Sequence, residues 1–378
     1  MTSFAELGLA TPLLRALETE GYTEPTPIQA QAIPHVIAGR DVQGIAQTGT
    51  GKTAAFALPI LHRLMADRRP AIRKGCRVLV LSPTRELASQ IAESFRAYGR
   101  NTGLRTALMF GGVPKARQSK AVANGIDILV ATPGRLLDHM QDGAVTVSGA
   151  EILVLDEADH MLDLGFIVPI RKIVSHISAK RQTLFFSATM PKEIAQLAGS
   201  MLRDPVHVAV NPVATTAERV EQKVIFVETA RKRQMLADIL RNKGMERTLV
   251  FTRTKHGADK VTHHLEAVGQ AAAAIHGNKS QPQRERALAA FKDGRVRVLV
   301  ATDIAARGID VDGVTHVVNF DLPNVPEAYV HRIGRTARAG HAGVAISFCD
   351  STERQHLRGI ERLIRTRLAV EEPSKLAA

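Results

Sequence analysis

Several short stretches of this chain are aliphatic at every position, and this limits the kind of sheet that they can form. Residues 152–155, Ile-Leu-Val-Leu, are one such run, and three acids follow them within four positions. A strand without polar alternation must be covered on both faces, which is typical of parallel sheets in α/β proteins. We therefore predict parallel sheets flanked by helices, with the acids at a carboxyl edge, where open α/β sheets bind ligands.

Strand-like runs occur in two series, and a helix-like segment follows each run. The first series covers residues 42–46, 77–82, 107–110, 127–132, 151–155 and 182–186; the second covers residues 223–227, 247–252, 271–275, 296–301, 314–319 and 342–348. RVLVLSPTRELA at 77–88 is similar to RTLVFTRTKHGA at 247–258, and ILVAT at 128–132 is similar to VLVAT at 298–302. Because both pairs share an offset of 170 residues, they indicate a duplicated βα domain.

A length of 378 residues is sufficient for two ordinary domains. Prolines and small residues gather in DPVHVAVNPVATTAER, near residues 205–220, and indicate a linker. We therefore expect a first domain at 1–205, a linker at 206–219, a second domain at 220–368 and a short polar tail at 369–378.

The chain carries a formal net charge of +13, which suggests a polyanionic partner. Charge alone does not separate nucleic acid from a ribosome surface or from simple solubility. Aromatic residues make up only 4% of the chain, so contacts to phosphate and sugar are expected rather than base stacking. No apolar run approaches the ~18 residues of a membrane span, and the amino terminus lacks a signal-peptide pattern, so a cytoplasmic location without membrane contact is expected.

The segment AQTGTGKT at 46–53 lies between a strand-like and a helix-like stretch. A glycine-rich turn in this setting points backbone N–H groups and a helix N-terminus at phosphates. The pattern assigns Lys52 to the terminal phosphates and the Thr53 hydroxyl to Mg²⁺. The first position is Ala46 rather than glycine, and only the first half of the chain contains this loop.

The acids after residues 152–155 complete this site if they lie on the same sheet. Asp156 is expected to hold Mg²⁺ through water, together with Thr53 and the nucleotide phosphates. Glu157 is then free to orient and deprotonate the attacking water. The alternative is that Asp156 or Asp159 only caps the following helix, which the presence of a phosphate loop disfavours.

With these motifs in place, the chain resembles the DEAD-box RNA helicases from Phe4 to about residue 365, and the wording of its motifs is similar to the bacterial RhlE-type group. The resemblance implies two tandem RecA-like domains that bind RNA and hydrolyse ATP with Mg²⁺. It also implies that ATP and RNA together close the domains around the nucleotide and separate short RNA duplexes locally or remodel RNA–protein complexes.

The segment GYTEPTPIQ at 21–29 is similar to the family's adenine-reading segment. The resemblance puts the Gln29 amide on the adenine edge, where an amide can form two hydrogen bonds, with Phe4 and Tyr22 as stacking partners. The nucleotide-binding loop that it implies comprises Thr48, Gly49, Thr50, Gly51, Lys52 and Thr53.

Further motifs of the first half, PTREL at 83–87, the glycine pair at 111–112 and TPGR at 132–135, are similar to RNA-contacting loops of the family. The RNA contacts implied are Pro83, Thr84, Arg85, Gly111, Gly112, Thr132, Gly134 and Arg135. SAT at 187–189 resembles the segment that couples Asp159 to domain closure, through Ser187 and Thr189.

In the second half, TRT at 252–254, QPQR at 281–284 and ATDIAARGID at 301–310 are similar to segments that hold RNA. The contacts implied are Arg253, Gln281, Arg284, Thr302, Asp303, Arg307 and Gly308, while Asp310 is assigned to the nucleotide ribose. HRIGRTARAG at 331–340 is similar to the family's arginine motif, so Arg335 and Arg338 are expected to act as arginine fingers on the γ-phosphate.

Two positions depart from the family pattern. Asn278-Lys279 varies a common Asp-containing form, and Ala337 stands where glycine is usual. Neither change removes a group that forms a bond, but Ala337 would cost about 1 kcal/mol if its backbone has a positive φ.

Two alternative functions remain open at this point. One is a DNA-acting translocase of the same superfamily, and the other is an ATP-gated RNA clamp or scaffold that rarely separates strands. The core is expected to be monomeric, with RNA as its main partner and the ribosome or the RNA-degradation machinery as further candidates.

Overall fold

The computed structural model describes residues 3–47, 49–210, 220–242, 244–306, 311, 313–337 and 342–372. The chain divides into two compact units, a first unit at Met1–Asn211 and a second unit at Pro212–Ala378. Within the described residues, no helix is both long and apolar enough to span a bilayer.

The first unit is a parallel sheet with helices on both faces, which confirms the predicted fold class. Its elements are α1 Thr11–Thr19, α2 Pro27–Ile37, β1 Val42–Ile45, α3 Lys52–Ala66, β2 Cys76–Leu81, α4 Arg85–Tyr98, β3 Thr106–Met109, α5 Lys115–Val122, β4 Ile126–Ala131, α6 Pro133–Gln141, β5 Ile152–Leu155, α7 Ala158–Asp163, α8 Ile167–Val174, β6 Gln182–Ser187, α9 Lys192–Met201 and β7 Val206–Ala209. The seven strands lie in the order β3-β4-β2-β5-β6-β1-β7.

The aliphatic runs form the centre of this sheet, because their side chains can be buried on both faces. Every residue of β2 and β5 is buried, and the two strands pair in parallel with Val78 opposite Ile152. Helices α1 to α4 cover one face of the sheet, and α5 to α9 cover the other. Loops at the carboxyl ends of the strands therefore share one edge.

The second unit repeats this architecture. Its elements are β8 Val220–Phe226, a 3₁₀ turn Thr229–Arg231, α10 Lys232–Ile239, β9 Thr248–Phe251, α11 Lys255–Ala267, β10 Ala272–Ile275, α12 Gln281–Lys292, β11 Val298–Ala301, α13 Asp303–Ala306, β12 His316–Asn319, α14 Pro326–Ile333, β13 Gly343–Cys349, a 3₁₀ turn Ser351–Glu353, α15 Arg354–Ile364 and β14 Ala369–Val370. The strand order is β10-β11-β9-β12-β13-β8-β14, which is the order of the first unit strand for strand.

Two edge strands correct the predicted boundaries. β7 lies inside the segment predicted as a linker, because Val206 pairs with Val42 of β1 and extends the first sheet. β14 lies inside the segment predicted as a tail, because Ala369 and Val370 pair with β8. The linker prediction therefore began too early, and the second unit continues past residue 368.

Candidate active site

The phosphate loop connects β1 to α3 and is shaped by glycines in left-handed conformations. Gly49 has φ +85° and Gly51 has φ +89°, and Gly51 caps the amino end of α3. A Cβ atom on Gly51 would lie 2.3 Å from Gln29 Nε2, so only glycine fits. The buried Lys52 donates from Nζ to the Ala46 carbonyl at 2.8 Å and thus lies along the loop that is to hold phosphate. Thr48 lies outside the described residues.

Asp156 lies directly after β5 and is almost completely buried. Burial raises the pKa of its carboxyl group to about 7; the nearby negative charges of Glu157 and Asp159 also raise it, while the positive charge of Lys52 opposes them. Lys52 and Asp156 are therefore close enough to interact electrostatically, although 104 positions separate them in the chain. A bound cation would favour the ionised form of this carboxyl group in the same way as Lys52 does.

The donor set at this edge fits a magnesium ion that keeps most of its water. In the described residues, the Asp156 carboxylate accepts one hydrogen bond, from the Glu157 N–H at 3.0 Å, so further lone pairs remain for water. Thr53 adds a hydroxyl group at the second position of α3. No group of three or more His, Cys, Asp or Glu side chains in the described segments could hold a metal alone, so water and nucleotide phosphates must supply the other ligands.

Glu157 has a strained backbone at the position predicted for the general base. Its φ of 51° and ψ of 55° are left-handed backbone values, which residues other than glycine rarely adopt. Such strain is typical of functional sites, where the surrounding structure maintains it. The sharp turn between β5 and α7 is formed at this residue.

His160 is a functional candidate that the sequence analysis did not identify. Its Nδ1 lies 3.3 Å from Glu157 Oε2, and both side chains are buried. The other ring nitrogen, Nε2, is buried without a hydrogen-bond partner among the described residues. The spacing of three residues at the start of a helix is the signal that could have revealed this contact.

The residues predicted to couple the site to conformational change lie together. Asp159 Oδ2 accepts hydrogen bonds from both the backbone N–H and the hydroxyl group of Thr189, each at 2.8 Å. The Asp159 N–H donates to Ser187 Oγ at 3.2 Å. These contacts link α7, directly after Glu157, to the segment that follows β6; the coupling role itself stays a prediction.

Gln29 connects the predicted adenine segment to the phosphate loop. Its Oε1 accepts from the Thr26 N–H at 2.9 Å, and its Nε2 donates to the Gly51 carbonyl at 3.1 Å. The amide keeps one lone pair and one N–H that form no other hydrogen bond among the described residues, and its pairing with adenine stays a prediction. Phe4 is buried and meets Tyr22 edge-on, with 6.4 Å between ring centroids, so stacking of either ring on adenine also stays a prediction.

The predicted RNA contacts of the first unit lie at the same carboxyl edge, after β2, β3 and β4. These residues are Pro83, Thr84, Arg85, Gly111, Gly112, Thr132, Gly134 and Arg135. The Arg85 side chain packs on the glycine pair so closely that a Cβ on Gly112 would lie 2.1 Å from Arg85 Nη1. Arg135 donates to the Val113 carbonyl at 2.8 Å, which ties the third loop to the second.

Two residues of the second unit that were predicted to contact RNA, Asp303 and Arg253, form hydrogen bonds within that unit. Both carboxylate oxygens of Asp303 accept from the buried Arg332 guanidinium, at 2.6 and 2.8 Å, which favours a role in positioning Arg332 over a direct RNA contact. Arg253 donates to Glu353 Oε1 at 2.6 Å and to the Leu322 carbonyl at 3.1 Å.

The remaining predicted residues of the second unit are only partly described. Gln281 and Arg284 are buried at the start of α12, and Thr302 directly follows β11. Arg335 follows α14, is 7% exposed and donates from Nε to the His331 carbonyl at 3.3 Å. The other predicted residues, Arg307, Gly308, Asp310 and Arg338, lie outside the described residues.

Ala337, which stands where the family usually has glycine, has a positive φ. Its φ is 56°, so an L-residue stands in a left-handed position where glycine would be unstrained. The chain therefore carries the expected strain at this point in the arginine motif.

Comparison with protein families identifies both halves. The family described as DEAD/DEAH box helicase matches residues 26–197, and the helicase conserved C-terminal domain matches residues 231–340. The DEAD-box ATP-dependent RNA helicase CshA of Bacillus cereus is 43% identical over 368 residues, which cover 97% of this chain and 69% of that protein. The CshA protein of Geobacillus kaustophilus is also 43% identical, over 376 residues that cover 100% of this chain and 79% of that protein.

Two solved structures have folds similar to that of this chain. Saccharomyces cerevisiae Dbp5, bound to RNA and ADP–BeF₃, is 30% identical and has a TM-score of 0.87, covering 100% of this chain and 100% of that chain. A DEAD box protein from Methanococcus jannaschii is 36% identical with a TM-score of 0.55 and covers 98% of this chain and 99% of its own.

Proposed function

This chain belongs to the DEAD-box family of ATP-dependent RNA helicases, and we propose that the site at the carboxyl edge of its first unit performs the hydrolysis. Lys52 and the backbone N–H groups of the loop bind the terminal phosphates. Magnesium, when bound, neutralises phosphate charge. Asp156 would orient the water ligands of this ion, and Thr53 would offer it an oxygen. Glu157 accepts the proton of the attacking water.

One observation carries this proposal. The glycine loop that presents Lys52 and the acids Asp156 and Glu157 come from different strands, yet the charge of Lys52 acts on the Asp156 carboxyl group. A helix cap formed by Asp156 alone would need neither the buried lysine nor the strained backbone of Glu157. The arrangement thus supports a nucleotide site rather than a capping role.

We also propose how hydrolysis is coupled to RNA. Asp159 links the turn at Glu157 to Thr189, so a change at one end of this hydrogen-bonded chain is transmitted to the other. In the second unit, Arg335 and Arg338 are proposed to stabilise transition-state charge once ATP and RNA favour a closed state. The bidentate pair of Asp303 with Arg332 keeps the start of the arginine motif in place.

The subgroup, the location, the oligomeric state and the further partners are proposed from the sequence alone. The motif wording is similar to the RhlE-type group, whereas the two bacterial relatives compared above are CshA proteins. A cytoplasmic location, a monomeric core and contact with the ribosome or the RNA-degradation machinery are carried forward as predictions from the sequence.

The decisive experiment is an ATPase assay of the full chain with a panel of RNA and DNA oligonucleotides, run beside RNA binding and strand separation. RNA should stimulate hydrolysis and DNA should not. Stimulation by DNA would favour a DNA translocase, and ATP-dependent RNA binding without strand separation would favour a clamp.

The variant Glu157→Gln tests the base within that experiment. It keeps the size and the hydrogen bonding of the side chain but cannot accept the proton, so hydrolysis should fall by about 10²–10⁴-fold. ATP-dependent RNA binding, followed by fluorescence anisotropy, should persist. If the variant loses RNA binding as well, Glu157 has a structural role and the proposed base is wrong.

A further inference from the structure

A basic cavity of about 560 Å³ opens on the first unit among α8, α9 and the start of β6. Three arginines line it, Arg171, Arg181 and Arg203, and no acidic residue does. Apolar side chains such as Val174 and Met201 complete the lining. The active site does not use any of these residues.

Two of these guanidinium groups, those of Arg181 and Arg203, are close enough to repel each other electrostatically. Burial and the neighbouring positive charge of Arg203 lower the pKa of Arg181, and the carboxylate of Asp41 only partly opposes them. The Asp41 oxygens accept from the backbone N–H groups of Thr183 and Arg203. Like charges kept together without an acid in the lining are a mark of an anion-binding site.

Some N–H groups of these guanidinium groups remain available to donate to such an anion. Arg181 uses Nε and Nη1 in hydrogen bonds to Thr183 Oγ1 and to the Ser178 carbonyl, which fix its orientation. Across the described part of the chain, neither the Arg171 nor the Arg203 side chain donates a hydrogen bond or joins an ion pair. Planar guanidinium groups with free N–H donors suit phosphate oxygens, which they bind in pairs.

The cavity lies at the edge opposite the active site. α8 ends at Val174 just before β6, and α9 ends at Met201, so both return to the amino ends of the strands. The RNA loops lie at the carboxyl ends. Six residues of β6 separate the two edges by roughly 20 Å. RNA that is held at these loops meets the cavity only if it continues across this distance to the opposite edge.

We propose that this cavity binds the phosphate backbone of a structured RNA region adjoining the single strand on which the helicase acts. The inference rests on the proposed function, because it takes RNA as the ligand. It adds a second RNA-binding site to the one at the RNA loops. It also names a substrate class, RNAs that have a stem next to the single strand bound at those loops.

The lining favours RNA over an acidic protein segment. It contains no aromatic side chain, although aromatic anchors are enriched in protein interfaces. Ser175 and Ser200 each donate to a carbonyl group of their own helix, so their oxygens are left to accept from donors such as a ribose 2′-hydroxyl. Phosphate and hydroxyl contacts of this kind position RNA without reading its sequence.

The test compares two probes with the full-length double variant Arg171→Glu/Arg203→Glu. One probe is a single strand of about ten nucleotides, and the other is the same strand attached to a stem of about 20 base pairs. The matched control, Arg15→Glu/Arg96→Glu, makes the same charge change at exposed arginines of α1 and α4, on the opposite face of the sheet. Thermal melts establish that both variants are folded.

The cavity variant should bind the stem-bearing RNA about tenfold more weakly at low salt, and the slope of log affinity against log salt should fall by about two. Its affinity for the single strand, and the control's affinity for both probes, should stay within about twofold. Equal losses for both variants, or no loss for the stem probe, would overturn the proposal. Variant-sensitive binding of polyglutamate without an RNA effect would overturn it in favour of an acidic protein partner. Stimulation of the wild-type ATPase by the short strand tests the proposed function separately.

Discussion

The two units share one strand order, and each has a lysine as the first residue of the helix that follows its first strand in the chain. In the first unit this residue is Lys52 on α3, and in the second it is Lys232 on α10. Both lysines are buried. The units differ in what surrounds the charge.

Carboxylates neutralise Lys232 from within its own unit. Its Nζ lies 2.6 Å from Glu353, 3.2 Å from Asp350 and 3.8 Å from Asp321. Asp321 is the second residue after β12, the place that Glu157 holds after β5. Although burial opposes it, hydrogen bonds from Thr352 and Thr229 and the charge of Lys232 hold the pKa of Asp350 below its usual range.

Among the described residues, Lys52 has no such carboxylate within bonding distance, since its hydrogen bond goes to a loop carbonyl. The two units therefore place a lysine and an acid at equivalent positions of the same fold, but within the described part of the chain only Lys232 forms ion pairs with carboxylates of its own unit. Where side chains supply the negative charge, the lysine stabilises the fold; where they do not, it is available to phosphate.

The largest effect that we predict is on the fold of the second unit. Lys232→Met should lower the free energy of unfolding by about 3–5 kcal/mol, because it leaves Asp350 buried without its cation and Glu353 with Arg253 as its remaining ion-pair partner. Urea unfolding of the full chain measures this. The triple variant Lys232→Met/Asp350→Asn/Glu353→Gln should recover much of the loss, and a loss in the single variant below about 1 kcal/mol would contradict the comparison.

Lys52→Ala should show the opposite profile. ATP hydrolysis should fall at least about 100-fold, since the point charge on the terminal phosphates is lost. The free energy of unfolding should change by only about 1 kcal/mol, because one hydrogen bond to Ala46 disappears. Steady-state ATPase assays and urea titrations give both numbers; a variant that keeps more than about a tenth of its turnover would rule out the phosphate role.

His160→Leu should reduce kcat by about tenfold while KM for ATP changes little, because Glu157 loses the contact that holds its carboxylate. His160→Asn, which retains a hydrogen-bonding group, should recover part of the activity. This prediction sharpens the comparison between Glu157 and Asp321, the acids after β5 and β12. Equal kcat values in wild type and His160→Leu would show that the contact does not position the base.

The smallest effect concerns the left-handed residues. Ala337→Gly should raise the free energy of unfolding by about 1 kcal/mol or less, since relief of strain is partly offset by the greater entropy of unfolded glycine. Glu157→Gly would relieve similar strain but abolish hydrolysis. Thermal or urea unfolding measures the gain, and destabilisation by Ala337→Gly would mean that the Ala337 methyl group is needed for packing.

The candidate site was predictable where local chemistry specifies it. The glycine loop, Lys52, Asp156 and Glu157 follow strand-like runs, and parallel strands bring such residues to one edge. His160 was not identified, although its spacing of three residues from Glu157 is a signal for such a contact; the left-handed turn at Glu157, where the contact forms, does not follow from composition. Asp303 is predicted to contact RNA because ATDIAARGID resembles an RNA-holding segment, and this role stays a prediction; local sequence does not reveal its pair with Arg332, which lies 29 residues away in another motif.

The sequence by itself determined the fold class, the duplication and the central strands, because aliphatic residues at every position of β5 or β11 can be satisfied only inside a covered sheet. It did not determine the edges: β7 and β14 are short, partly exposed strands held by pairing with β1 and β8. Only the tertiary structure decided which buried lysine is neutralised and which arginines share a cavity. Both outcomes depend on distances between charges that lie far apart in the chain, and Coulomb energies depend on those distances rather than on sequence spacing.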